Sequence, residues 1–368
     1  MVQEITAKNT SLTLASVEND RSNNFDFLRF VLATLVLFYH CFPLLLGAGE
    51  RKAGFVEQAA GFGAGSAVDF FFVISGFLVT QSWVRTPSIG LFLRKRVLRI
   101  FPAFIGVSLF CALVVGPLGA ANYHEYTHHF HPLGFLAYIL LLVGPYLPPV
   151  FLTLPFAGQV DGSFWTLRYE FECYLLVLVF GLGGAATRRI GVVVLFAVLT
   201  IFTFLSAIGH AVPVPDRELH LIGNPIKWFR LLPFFLTGMA FYQFRDRIRY
   251  TPAFLALALI GIVLGAIFSQ WQNLALATCG SYLLFWVAFR PMPSLSRFAR
   301  HGDFSYGLYL YAYPIQQLLI LFYGPYLNPL GLFCIAFPIS LSLAALSWHG
   351  LEKPALKLRK GAAQVMRA

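Results

Sequence analysis

Charge is scarce in this 368-residue chain. Asp, Glu, Lys and Arg together make up 12% of it, against roughly 25% in an average soluble domain. So thin a charge cover does not solvate the two or three soluble domains that the length alone would suggest. Cysteine is also sparse: Cys41, Cys111, Cys173, Cys279 and Cys334 all fall inside or beside apolar runs, and no C-x-x-C pair exists. Neither a zinc site nor a disulfide framework is indicated, and the five read as small buried hydrophobes. No internal repeat or low-complexity tract is visible. The polar start, Met1 to Asn24, has no short apolar stretch with a small-residue cleavage site, so no signal peptide is expected.

What the chain has instead is apolar length. Hydrophobic residues make up 58% of it, in runs of about 18–20 residues, the length that crosses a hydrocarbon layer of ~30 Å. Such runs cover 27–46, 66–84, 101–120, 165–184, 190–208, 229–244, 252–268, 273–289, 304–323 and 330–349. A further stretch, 134–157, is broken by Pro145, Pro148, Pro149 and Pro155. Proline removes a donor and clashes with the preceding turn, so no clean helix is expected there.

The net charge, 27 − 16 = +11, would raise the question of nucleic acid in a soluble protein. Here it sets orientation. Basic clusters stand at Arg94-Lys95-Arg96 with Arg99, at Arg188-Arg189, at Arg245/Arg247/Arg249, at Arg297/Arg300, and from Lys353 to Arg367. All reach the cytoplasmic side together only if 134–157 does not cross. The expected architecture is an all-α polytopic membrane protein with about ten transmembrane helices, a re-entrant or non-spanning segment near 134–157, and both termini cytoplasmic. Residues 1–26 form a cytoplasmic tail, 27–349 one transmembrane domain and 350–368 a basic cytoplasmic tail. The bilayer is its partner; nucleic acid and metal are not expected.

An ionisable group in the hydrocarbon costs at least ~2.5–3.5 kcal/mol on insertion scales, so each one is a functional candidate. The first run holds Arg29 and, eleven residues on, His40. Eleven steps of 100° overshoot three turns by about 20°, so both lie on one helix face, about 16 Å apart in depth. A snorkelling Arg with a structural His is the plainer alternative. After the proline-rich stretch comes Trp165-Thr-Leu-Arg168-Tyr-Glu170-Phe-Glu172-Cys-Tyr174. This run points inward, placing Glu170 near the depth of His40. A carboxylate there would fix the imidazole's tautomer and raise its basicity toward a hydroxyl. Glu172 lies about 200° away around the helix, so only one of the two acids meets that partner and Arg168 can neutralise the other. A purely structural salt-bridge network is the alternative.

Asp69 sits at the outer end of the second run, while Ser75-Gly76 near its middle suits close helix packing better than a nucleophile. Arg96 and Arg99, one turn apart, suit either a polyphosphate or anionic lipid headgroups. His124, His128, His129 and His131 form a weak metal pattern, better read as an ordinary outer loop.

In order along the chain, several motifs resemble the membrane acyltransferase-3 family, whose members O-acylate sugars and surface polysaccharides. They are Asp26-x-x-Arg29 with His40, Phe70-Phe-Phe-Val-Ile-Ser-Gly-Phe77, Arg96-x-x-Arg99-Ile-x-Pro102, Trp165-Thr-Leu-Arg-Tyr-Glu170, Ser305-Tyr-Gly-Leu-Tyr-Leu-Tyr-Ala-Tyr-Pro314 and Glu352-Lys-Pro354. The resemblance implies an acyl-coenzyme A donor supplied from the cytoplasm, acetyl-CoA first. The acceptor would be a saccharide or lipid-linked oligosaccharide of exopolysaccharide or lipopolysaccharide synthesis, at the inner (plasma) membrane. His40 becomes the catalytic base or transient acyl carrier, and Arg29, Arg96 and Arg99 the residues for the donor's phosphates. Ser75 is grouped with the donor, and Asp69, Trp165, Arg168 and Tyr174 with the acceptor. Glu170 is expected as the partner of His40. One departure is Ala312, where the family usually has His two residues before the proline.

A secondary transporter of a small anion or glycan, with His40 and Glu170 as a proton relay, explains the buried charges equally well. Coenzyme A binding without flux separates the two. A membrane scaffold for polysaccharide assembly is a third reading, and it would survive loss of both Arg29 and His40.

Overall fold

The computed structural model describes residues 12–18, 23–47, 54–184, 189–207, 219, 223–300 and 302–358. Most of the expected N-terminal tail, the last ten residues of the C-terminal one, and Arg188 of a basic pair lie outside them. Helix is the only regular structure among the described residues, with two isolated bridges and no strand.

Helix α1 runs Phe25–Leu46, α2 Phe55–Arg85 and α3 Ile89–Phe110, which continues through a π-helical turn at Cys111–Val115 and a last turn Gly116–Gly119. Two short helices follow, α4 (Tyr123–His129) and α5 (Pro132–Leu140), and then α6 (Trp165–Leu182) and α7 (Arg189–Ala207). Short turns of three to five residues aside, the remaining helices are α8 (Pro225–Gln243), α9 (Pro252–Ile267), α10 (Ser281–Phe289), α11 (Ser305–Tyr323) and α12 (Pro329–Ser347).

Helix therefore occupies every expected span. Five stretches are long and apolar enough to cross a membrane: Phe25–Leu46, Phe55–Arg85, Ile89–Gly119, Ser269–Phe289 and Pro329–Leu358. Others fall short for visible reasons: α6 carries Arg168, Glu170 and Glu172, and α9 has only 16 residues. The molecule is a multi-pass helical membrane protein. In the region of 134–157 the only helix is α5, whose nine residues begin at Pro132 and reach about 14 Å, under half the hydrocarbon thickness. The chain then turns through positive φ at Leu142. Past it, Phe151, fully buried, donates its N–H to Gly119 O at 2.8 Å. The segment thus rests on the end of the helix that began as α3.

Two compact units interleave along the chain. One contains residues 69–87 and 175–298, with the N-terminal segment to Phe27. Its centre is aromatic: Phe25, Phe77, Phe285 and Phe289 lie 4.8–6.2 Å apart, ring to ring. Within it, α2 and α8 cross at their glycines. A Cβ on Gly76 would fall 2.0 Å from Phe235 O, and one on Gly238 2.0 Å from Val73 O. Only residues without a side chain allow backbones so close.

The other unit contains 28–68, 88–174 and 299–358 of the described chain. In it α1 and α11 run parallel. Arg29 lies by Asp303 at one end, and at the other His40 lies by Tyr313 and Leu37 O accepts from Gln316.

Candidate active site

The charged end of the α1–α11 pair is built around Asp303. Its Oδ2 lies 2.7 Å from Arg99 Nη2 and 4.0 Å from Arg29 Nη1, while Oδ1 accepts from the Ser305 N–H and hydroxyl. The side chain is 11% exposed. Burial alone would raise its pKa, but the two guanidiniums outweigh it and hold the carboxyl at about 2. The Arg99 guanidinium also lies over the Tyr306 ring, whose hydroxyl donates to Ile100 O. Arg96 lies over Tyr174 at 5.3 Å. Of the three arginines expected at the donor's phosphates, two therefore share one carboxylate and the third faces an aromatic ring.

The two acids of α6 separate as the helical arithmetic requires. Tyr174 donates its hydroxyl to Glu170 Oε1, and Arg168 Nε donates to Glu172 Oε1 at 3.0 Å. Each pair is spaced four residues apart, the spacing at which helical side chains meet. Glu170 was the expected partner of His40, but the structure brings the tyrosine ring of α11 there instead. His40 meets Tyr313 edge-on at 5.2 Å and its neighbour Tyr39 at 5.8 Å. The Glu170–Tyr174–Arg96 set is one group, and His40 with Tyr313 another.

Tyr313 links His40 to the irregular segment that precedes α6. Its hydroxyl donates to Gln159 Oε1 at 2.8 Å, and Gln317 Nε2 donates to Phe156 O and Gln159 O. Gly162 sits so close to the Tyr313 ring that a Cβ would approach it to 2.5 Å. Gln316, fully buried, reaches back to Leu37 O and Cys41 Sγ, both at 2.9 Å. Ala312, where an imidazole was expected, is buried between two tyrosines of the same helix. Trp165 stands at the start of α6, 5.8 Å ring to ring from Tyr169.

The remaining expected site residues belong to the other unit. Asp69 pairs with Arg230 Nε at 3.2 Å. Ser75 is half-buried beside Gly76, at the close α2–α8 crossing. Among the described residues there is no group of three His, Cys, Asp or Glu placed to hold a metal ion.

Four features of the site were not found by reading the sequence. Asp303 stands two residues before the tyrosine-rich motif and belongs to none of the motifs. Gln159 and Gln317 read as ordinary polar residues. Arg230, which no motif singles out, pairs with Asp69.

The acyltransferase domain family matches residues 22–349. The chain belongs to that family. Among its relatives, an O-acetyl transferase of Shigella phage Sf6 is 29% identical over 344 residues, covering 90% of this chain and 96% of the phage protein. Nodulation protein 10 of Rhizobium leguminosarum bv. viciae is 28% identical over 359 residues, covering 92% of this chain and 94% of its own length. No solved structure matches. Arg29, His40, Arg96, Arg99, Glu170 and the α11 motif all lie within the matched residues of this acyltransferase.

Proposed function

We propose that this acyltransferase is an inner-membrane enzyme that moves an acyl group, acetyl in the first instance, from acyl-coenzyme A to a hydroxyl of a cell-surface saccharide. The observation that carries the reading is the parallel pairing of α1 with α11. It supports an arginine cluster at one end of the site and His40 at the other, eleven residues away along α1. The likeness to an O-acetyl transferase supports acetyl as the group moved.

Arg29 and Arg99 hold one carboxylate between them, a geometry that also suits a phosphate. Arg96 completes a basic cluster on the cytoplasmic side. The donor's long arm would lie along α1 toward His40. There the imidazole takes the proton of the acceptor hydroxyl as its oxygen attacks the thioester carbon. The carbon–sulfur bond breaks and the thiolate recovers the proton. A two-step route, with the acyl group carried briefly on His40, uses the same residues. Glu170, engaged by Tyr174 beside Arg96, is read with the donor cluster. Trp165 and the outer segment are read with the acceptor.

Ten crossings with both termini cytoplasmic is the topology we propose. The parallel run of α1 and α11 supports it, because parallel neighbours require an odd number of crossings between them, and seven of the apolar runs lie between these two. Replacing His40 or Arg29 by Ala should abolish acylation of the saccharide while membrane insertion, followed by fractionation, stays intact. Normal acetyl content of the surface polysaccharide with His40→Ala would overturn the mechanism.

A further inference from the structure

The outer segment lines a half-open cavity of about 240 Å³ that the preceding roles leave unused. Val143, Leu147, Gln159, Asp161, Phe164 and Trp165 are among the residues that line it. At about 30 Å³ per water it has room for about eight, the bulk of one hexose ring and less than a disaccharide.

Its polar groups are unevenly satisfied. Asp161 Oδ1 accepts from the N–H and the hydroxyl of Ser163. Asp161 Oδ2 is buried and has no hydrogen-bond partner among the described residues. A buried carboxyl oxygen left open is costly and calls for a donor or acceptor from elsewhere. Burial lifts the Asp161 carboxyl to about 8, so near neutrality it pairs with a hydroxyl in either sense. Gln159 has committed Oε1 to Tyr313, which leaves its amide N–H as what it can offer. Trp165 supplies a flat apolar face. A carboxyl, an amide and an indole around a ring-sized space form the chemistry that recognises a pyranose. Tyr313, bonded to Gln159 and edge-on to His40, connects this space to the reacting group.

We infer that this cavity holds one sugar ring of the acceptor, with Asp161 binding a ring hydroxyl and Trp165 stacking on the ring. The inference rests on the acyl-to-saccharide reading above, and the test separates the two. Methyl glycosides of glucose, galactose, mannose and rhamnose are titrated against the purified full-length protein by saturation-transfer NMR. Acetyl-CoA is titrated in parallel by calorimetry.

At least one glycoside should bind the wild-type protein. Asp161→Asn, which puts an amide N–H that can only donate where the open oxygen stands, should weaken that binding about tenfold, as loss of one hydrogen bond does, with acetyl-CoA affinity unchanged. Val143→Trp, which fills the cavity from an exposed position, should do the same without touching the carboxyl, and so covers the case in which Asp161→Asn fails to fold. Glycoside affinity unchanged in Val143→Trp, or no glycoside binding to the wild type, overturns the cavity's assignment. Glycoside binding of the expected kind with no acetyl-CoA binding upholds the cavity and overturns the donor.

Discussion

At the scale of single residues, the charged end of the site turns on Asp303. An ordinary Asp titrates near 3.9, while Asp303 is held at about 2 once the guanidiniums of Arg99 and Arg29 outweigh its burial. A carboxyl lowered on folding adds stability above its unfolded value and loses it as pH falls through the folded one. The difference is worth about 2 kcal/mol, present above roughly pH 4 and fading toward pH 2. Asp303→Asn should therefore unfold at a lower temperature than wild type at pH 6. The gap between the two melting curves, read in detergent, should narrow by about half as the buffer is taken to pH 3. A gap of the same width at both pH values would mean that the carboxylate is not what steadies the two arginines.

At the scale of elements, the closest approach is between α2 and α8. Alanine at Gly76 drives a methyl into the Phe235 carbonyl, and backbone cannot yield as a flexible side chain can. The expected cost is about 1–3 kcal/mol, the range for overpacking, read as a lower melting temperature. Gly90→Ala on α3 meets nothing within 4 Å and serves as the control: it should be neutral or slightly stabilising, since Ala is the better helix former.

This element scale is also where the sequence was most legible. The apolar runs located the helices, and 100° per residue separated Glu170 from Glu172 and put Arg29 and His40 on one face. The proline-rich stretch advertised a helix too short to cross. The rest depends on pairings between distant positions. Asp303 meets Arg99 across 204 residues and Tyr313 meets Gln159 across 154, and no local pattern encodes either. Glu170 shows the limit of arguing from depth: the partner it found was four residues along its own helix. Asp161 was visible as an acid before α6, but only the fold around it reveals an oxygen left open beside a cavity.

At the scale of the whole molecule, two units interleave, so neither can be excised as a continuous piece of chain. The proposed topology is open to labelling. In a background with Cys334 replaced, since it is the exposed cysteine, Tyr123→Cys should react with an impermeant maleimide in intact cells. Arg297→Cys should react only after the inner membrane is opened. Equal reaction of both sites from outside would remove the ten-crossing arrangement. The shared face of α1 has a consequence of a different kind. Eleven peptide units set the axial distance from Arg29 to His40 at about 16 Å, so the backbone acts as a ruler that no side-chain substitution recalibrates. A single residue inserted between them turns His40 by about 100° and lengthens the ruler in the same step. The reach demanded of a donor is thus written in the spacing of one helix.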